Sequence, residues 1–174
     1  GKGARNWVVE NLHDGVVSEA RFSVDIRPDE IASAIRGKPL PPRAYELDFN
    51  VEDVSFSYLG DMPPVSGADA TARLNPKVFD LSLTGPADLN VGRGRIAVTG
   101  GRFYVDDLRP EPAIGQITLG LSGDAAAISE LLNYEPLNLA ARRGVNPSQI
   151  SGTADVEVSL VTPLAKDVKF ADVE

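Results

Sequence analysis

Apolar and polar side chains alternate strictly over residues 18–27. Ala20, Phe22, Val24 and Ile26 fall on one side, and Glu19, Arg21, Ser23, Asp25 and Arg27 on the other. A run with period two folds as a pleated strand with one dry face and one wet face. The pattern returns at Tyr45, Leu47, Phe49 and Val51, then moves to even positions at Val54, Phe56 and Tyr58. The parity change at Glu52-Asp53 predicts a β-bulge, which bends the strand and keeps its apolar residues on one face. Further alternating runs carry Ala68, Ala70, Ala72 and Leu74, then Phe79, Leu81 and Leu83, then Leu89 and Val91. Two short strands at 95–99 and 102–106 are expected to break at Gly100-Gly101. Ile117, Leu119 and Leu121, and finally Ala154, Val156, Val158 and Leu160, complete the series.

Between these runs lie turn and helix signals. Trp7, Val8 and Leu12 have helical spacing, and Asp14-Gly15 is expected to turn the chain, with His13 in that turn. Residues 28–37 begin with Pro28, Asp29 and Glu30, carry an Ile31/Ala34/Ile35 stripe and end in Arg36-Gly37, the polarity of a short helix. Gly123-Asp124 predicts the start of another, with Asp124 as N-cap and Ile128, Leu131 and Leu132 on one face. A third short helix is expected at 136–144, opened by Pro136 and stopped by Gly144. Short helices among many alternating strands predict an α+β fold. Its sheet is predominantly antiparallel and strongly bent, an open groove-like sheet with the helices packed at its ends or on one face.

One stretch recurs. Val65-Ser66-Gly67 opens a strand, a corner at Pro76 and an Asp80-Leu81 strand; Ile150-Ser151-Gly152 opens a similar strand, a corner at Pro163 and Asp167-Val168. Both read as β-hairpins. The recurrence divides the chain into units of about 14–121 and 122–174, the second truncated, within a single fragment of a larger repeated protein. A start at Gly1 and a sole methionine at Met62 fit an excised piece.

Composition removes several classes of function. The net charge of −8 argues against nucleic acid, whose binding relies on Lys and Arg displacing counterions. There is no cysteine and only one histidine, which excludes disulfides, thiolate metal sites and a Cys-His nucleophile. Asp106-Asp107 are adjacent, so as strand residues they would point to opposite faces and suit a turn better than shared acid-base work. Asp155 and Glu157 share a face, and it is the wet one. Gly92-Arg93-Gly94-Arg95 lacks the G-x-G-x-x-G spacing and the following helix of a phosphate loop, and reads as a hairpin turn. Asn146-Pro147-Ser148 has proline where a glycosylation acceptor forbids it. No enzyme, cofactor or metal is expected.

Three stretches carry a resemblance to a known family: NWVVENLHDGVVSEARFSV, VEDVSFSYLGDMPPVSGADATARL and LLNYEPLNLAARRGVNPSQISGTADVEVSL. In them the chain resembles the periplasmic domains of the AsmA-like superfamily of bacterial envelope proteins. The resemblance implies a periplasmic segment of a parent anchored in the inner membrane. Its β-units would form a long apolar groove for phospholipid transport between the inner and outer membranes, supporting outer-membrane integrity. It brings no catalytic residues. The implied partners are phospholipid acyl chains and neighbouring repeats of the same chain. The groove would be lined by Ala20, Phe22, Val24, Tyr45, Leu47, Phe49, Val54, Phe56, Leu81, Leu83, Val156 and Val158. The same alternation also describes a structural or protein-binding envelope module, whose sheet core is covered by helices at 29–36 and 124–133. An exposed apolar face or open strand edges would promote dimerisation of the fragment.

Overall fold

A computed structural model of the chain describes residues 11–58, 61–135, 137–139, 144 and 146–164. Trp7 and Val8, most of the expected 136–144 helix and the return strand of the second hairpin lie outside them. The fold is α+β, mostly antiparallel sheet with two short helices.

Strands β1 (Leu12–Val24), β2 (Tyr45–Phe56) and β3 (Val65–Leu74) pair in sequence order. Next come β4 (Phe79–Leu83) and β5 (Ala87–Val91), two short strands in one row between β3 and the long β6 (Gly94–Val105). Then β7 (Ile114–Asp124) and β8 (Thr153–Pro163) complete an antiparallel meander. Gly85-Pro86 interrupts the β4–β5 row, as proline must where a ladder N–H is needed.

The expected bulge is present. Asp53 has a positive φ of 53°, the β2–β3 register shifts between Val51 and Val54, and the Asp53 N–H donates to Asp69 Oδ1 at 3.1 Å. Two expected breaks are absent. Asp14-Gly15 lies inside β1, with φ of 59° and 80°, because the strand runs on to Leu12 and absorbs the irregularity opposite Val54. His13 therefore sits in a strand across from Ser55, not in a turn. A Cβ on Gly15 would lie 3.0 Å from Val54 Cβ, so the close approach also demands glycine. Likewise Gly100-Gly101 stays within β6, where the pairing with β7 shifts by one residue after Val98. The break expected there is a bulge in one long strand. At the other end of β1 the strand stops at Val24, short of the expected Ile26 and Arg27.

The β3–β4 hairpin turns as the recurrence predicts. Asn75 Oδ1 accepts from the N–H groups of Lys77 and Val78, both at 2.8 Å. Gly67 and Gly152 both have positive φ, 67° and 100°.

Helix α1 (Pro28–Ile35) lies in the connection between β1 and β2, and α2 (Ala125–Leu131) follows β7 directly. Asp124 caps α2, its Oδ1 accepting from the N–H groups of Ala126 and Ala127 at 2.9 and 3.0 Å. The buried side of α2, including Ile128 and Leu131, packs on β5, β6, β7 and β8. One hydrophobic cluster runs from Val54 to Leu164 and contains Leu89, Ile96, Val98 and Leu131 among its most enclosed members.

Candidate functional site

Residues directly opposite in a ladder share a face, so the register traces the dry face strand by strand. One row runs Ala20, Phe49, Ala72, Leu81, Phe103, Ile117, Leu160 across all the strands except β5. Beside it, Phe22, Leu47, Leu74, Phe79 and Val105 form a second row. Val24 opposes Tyr45, Leu83 opposes Ala70, and Leu121 and Leu119 oppose Val156 and Val158. Past the bulge, Val54 opposes Ala68 and Phe56 opposes Val65. The sequence-expected groove residues therefore occupy one continuous apolar face.

The covering of that face is uneven. Val54, Phe56 and Leu81 are buried, and as the structure stands they are core. Leu83, Val156 and Val158 are half-buried. Over β6, β7 and β8 the lid is α2, together with Tyr58 and Met62 from the β2–β3 connection. The space left beneath is about 10 Å³, room for at most one water. Toward β1 the cover ends. Tyr45, Leu47 and Phe49 are half-buried, Ala20 is exposed, Phe22 is 63% exposed and Val24 58%. Val17, opposite Val51, is also exposed. Phe22 and Tyr45 keep their rings 6.3 Å apart, a partly wet aromatic pair.

α1 covers none of this strip. None of its residues is buried, and Ile31 and Ile35 face solvent. The expectation that both helices close the sheet holds for α2 and is corrected for α1. Its inward side is instead Glu30, Ser33 and Ala34, all half-buried. Glu30 accepts from the Arg27 N–H at 2.8 Å and pairs with Arg43, and these two contacts hold its carboxyl below the usual range.

The opposite face is a ladder of charges. Asp48 accepts from Arg73 Nε at 2.7 Å, and the two carboxylate oxygens of Asp80 accept from Arg102 Nε and Nη2 at 2.8 and 2.7 Å. The hydrogen bonds from Arg102 lower the Asp80 pKa. Arg102 also lies over the Tyr104 ring, 4.6 Å from its centroid. An open depression of about 610 Å³ on this side is lined by Glu19, Arg21, Asp48, Asn50 and Arg73. Most of these groups bond to one another: Asn50 donates to Glu19 and Arg73 pairs with Asp48.

Two segments read as turns connect strands in the structure. Asp107 bonds Arg109, whose guanidinium draws its pKa down to about 2, and the pair fixes the β6–β7 connection. The Gly92-Arg93 turn holds an internal carboxylate: Glu130 of α2 accepts from the Arg93 N–H at 3.1 Å and lies against Gly92. Arg93 in turn donates to Ser148 Oγ at 3.0 Å, tying the turn to the segment before β8. Among the described residues, no three His, Cys, Asp or Glu side chains group as metal ligands, and no helix is long and apolar enough to cross a membrane.

Sequence reasoning missed Val17, which the register adds to the open strip, and the outward aspect of Ile31 and Ile35. The signal for the latter was Glu30, three residues after Arg27 and placed to cap and to pair inward. A scan against protein-family models, a search of curated proteins and a search of solved structures each return no match.

Proposed function

We propose that this chain is a non-catalytic, AsmA-like segment of a bacterial envelope protein, working in the periplasm, whose apolar sheet face receives phospholipid acyl chains. The observation that carries the reading is the uncovered strip on β1 and β2, continuous with the core. Val17, Ala20, Phe22 and Val24 stand opposite Val51, Phe49, Leu47 and Tyr45. Its eight-residue span is about 23 Å at the rise of a strand. That exceeds the ~15 Å that the acyl chains of one leaflet occupy.

Each methylene taken out of water contributes roughly 0.8 kcal/mol. An apolar strip of this length therefore lowers the barrier to moving a chain between membranes by contact area alone, with no need for an acid, base or nucleophile. The charges beside the strip include the pairs Arg43–Asp25 and Arg73–Asp48, and the strip itself is apolar, which favours recognition of tails over headgroups.

A second reading, a structural or protein-binding envelope module, is favoured by α2, which seals the β5–β8 side of the same face. In it the strip and the outer edges of β1 and β8 would meet neighbouring units or a partner. Native mass spectrometry of the 174-residue chain, purified without detergent, separates the two. Co-purified phospholipid that is lost in Phe22→Asp/Phe49→Asp supports lipid handling. A lipid-free, stably folded chain that takes up no phospholipid on incubation with vesicles supports the module.

A further inference from the structure

Helix α1 is amphipathic in the reverse sense. In an ordinary surface helix the apolar stripe packs inward and the polar side meets water. Here Glu30, Ser33 and Ala34 turn toward the protein, while Ile31, Ala32 and Ile35 turn out, Ile31 49% and Ile35 82% exposed. Polar contacts fix this orientation: the Glu30 carboxylate bonds the Arg27 N–H and Arg43, and Arg43 also reaches Asp25 at 3.3 Å.

From this we infer that α1 is a bilayer-docking element, laying Ile31 and Ile35 into the boundary between the headgroups and acyl chains of a membrane. Three observations select a membrane over a protein. First, the charges fit. The segment 25–43 carries Arg27, Arg36, Lys38 and Arg43 against Asp25, Asp29 and Glu30, a local net of +1 in a chain of net −8, so this stretch is spared the repulsion that the rest of the surface would meet at a bilayer. Second, the area is small. Eight residues make a helix of about 12 Å, whose outer face offers a few hundred Å² at most, against the roughly 800 Å² per partner of a stable protein interface. Third, the place is apt: α1 lies in the connection from Val24 to Tyr45, the two residues at one end of the open strip. Docked there, the membrane would deliver a chain directly onto Val24, Tyr45 and Phe22. This inference rests on the lipid-handling reading for its purpose, while the membrane contact itself can be tested separately.

The experiment is vesicle flotation of the full chain with phosphatidylethanolamine–phosphatidylglycerol vesicles, beside Ile31→Glu/Ile35→Glu and Phe22→Asp/Phe49→Asp. Uptake of a fluorescent fatty acid is measured on the same three proteins. Because Ile31 and Ile35 lie outside the buried core, their replacement should keep the fold by circular dichroism, with at most a small fall in melting temperature from the covered half of Ile31. The expected result is that the helix variant floats roughly tenfold less or worse yet keeps fatty-acid uptake, while the strip variant floats normally and loses uptake. The inference is overturned if the native chain does not float, if the helix variant floats equally well, or if light scattering finds a dimer that the isoleucine changes dissociate. Fatty-acid uptake without flotation sinks the docking helix and leaves lipid handling standing. Flotation without uptake does the reverse.

Discussion

Replacing Phe22 and Phe103 in turn by alanine tests the uneven covering of the apolar face. Both belong to that face, but Phe22 is 63% exposed and Phe103 only 8%. A phenylalanine hides roughly 200 Å² when fully enclosed, so Phe22 hides about 75 Å² and Phe103 about 185 Å². At about 25 cal/mol per Å² these burials are worth just under 2 and about 4.6 kcal/mol, both upper bounds. Alanine retains part of the burial at either site. The lost ring contact with Tyr45 adds about 0.5 kcal/mol for Phe22, while the cavity left at Phe103 keeps its value near the usual range of about 3–5 kcal/mol. The expected losses are therefore about 1–2 kcal/mol for Phe22→Ala and about 3–5 kcal/mol for Phe103→Ala. In a chain of this size the melting temperatures should fall by roughly 2–8 °C and 6–20 °C. Urea unfolding followed by circular dichroism gives both values, with unchanged slopes marking a common unfolded state. Equal losses, or a larger one at Phe22, would mean that β1 is covered in solution and that the strip does not exist.

Other perturbations address the supports of the fold. Asp124→Ala removes the cap of α2 and should cost about 1 kcal/mol, measured by thermal melting, and should raise binding of an apolar dye as the lid loosens. Tyr58 has a buried hydroxyl with no partner among the described residues, and burial raises its pKa above the ordinary 10.0. A raised folded pKa contributes stability that is present below pH 10 and is lost at higher pH, as the unfolded chain ionises first. Tyr58→Phe should therefore abolish an alkaline loss of stability that begins above about pH 10 and be neutral or stabilising at pH 7, by urea titration. Asp107, Asp80 and Glu30 have lowered pKa values through their arginine and backbone partners. Their contribution is present above the ordinary carboxylate range and lost as pH falls, for Asp107 toward about 2. Arg109→Gln should flatten that acid limb in a pH series of melts.

Local rules made much of this fold legible. The parity change at Glu52-Asp53 located a bulge because a period of two leaves no other way to keep Val51 and Val54 on one face. Asp124 announced α2 because its carboxylate satisfies N–H groups that a helix start leaves free. Gly15 and Gly100 misled for a shared reason: glycine marks positions of unusual backbone, and both a turn and a bulge meet that need. Only the long-range pairing with β2 and β7 decides between them. What covers the apolar face was legible only in part: the helix at 124–133 was expected as a cover and is one, but how far it reaches was not readable. Alternation assigns Phe22 and Leu121 to the same side, but it cannot reveal that α2 reaches one and not the other, since that depends on where the 125–131 segment packs. In α1 the Ile31/Ile35 stripe read as core-facing because apolar stripes usually are, and the polar contacts of Glu30 overrule it.

The most direct measurement of the central claim is cross-linking with a phospholipid that carries a photoactivatable group near the end of one acyl chain, followed by peptide mapping. The account expects adducts concentrated at residues 17–24 and 45–51, with few on the covered strands β6 and β7. Adducts spread evenly over the chain, or confined to the polar face around Asp48 and Arg73, would contradict it.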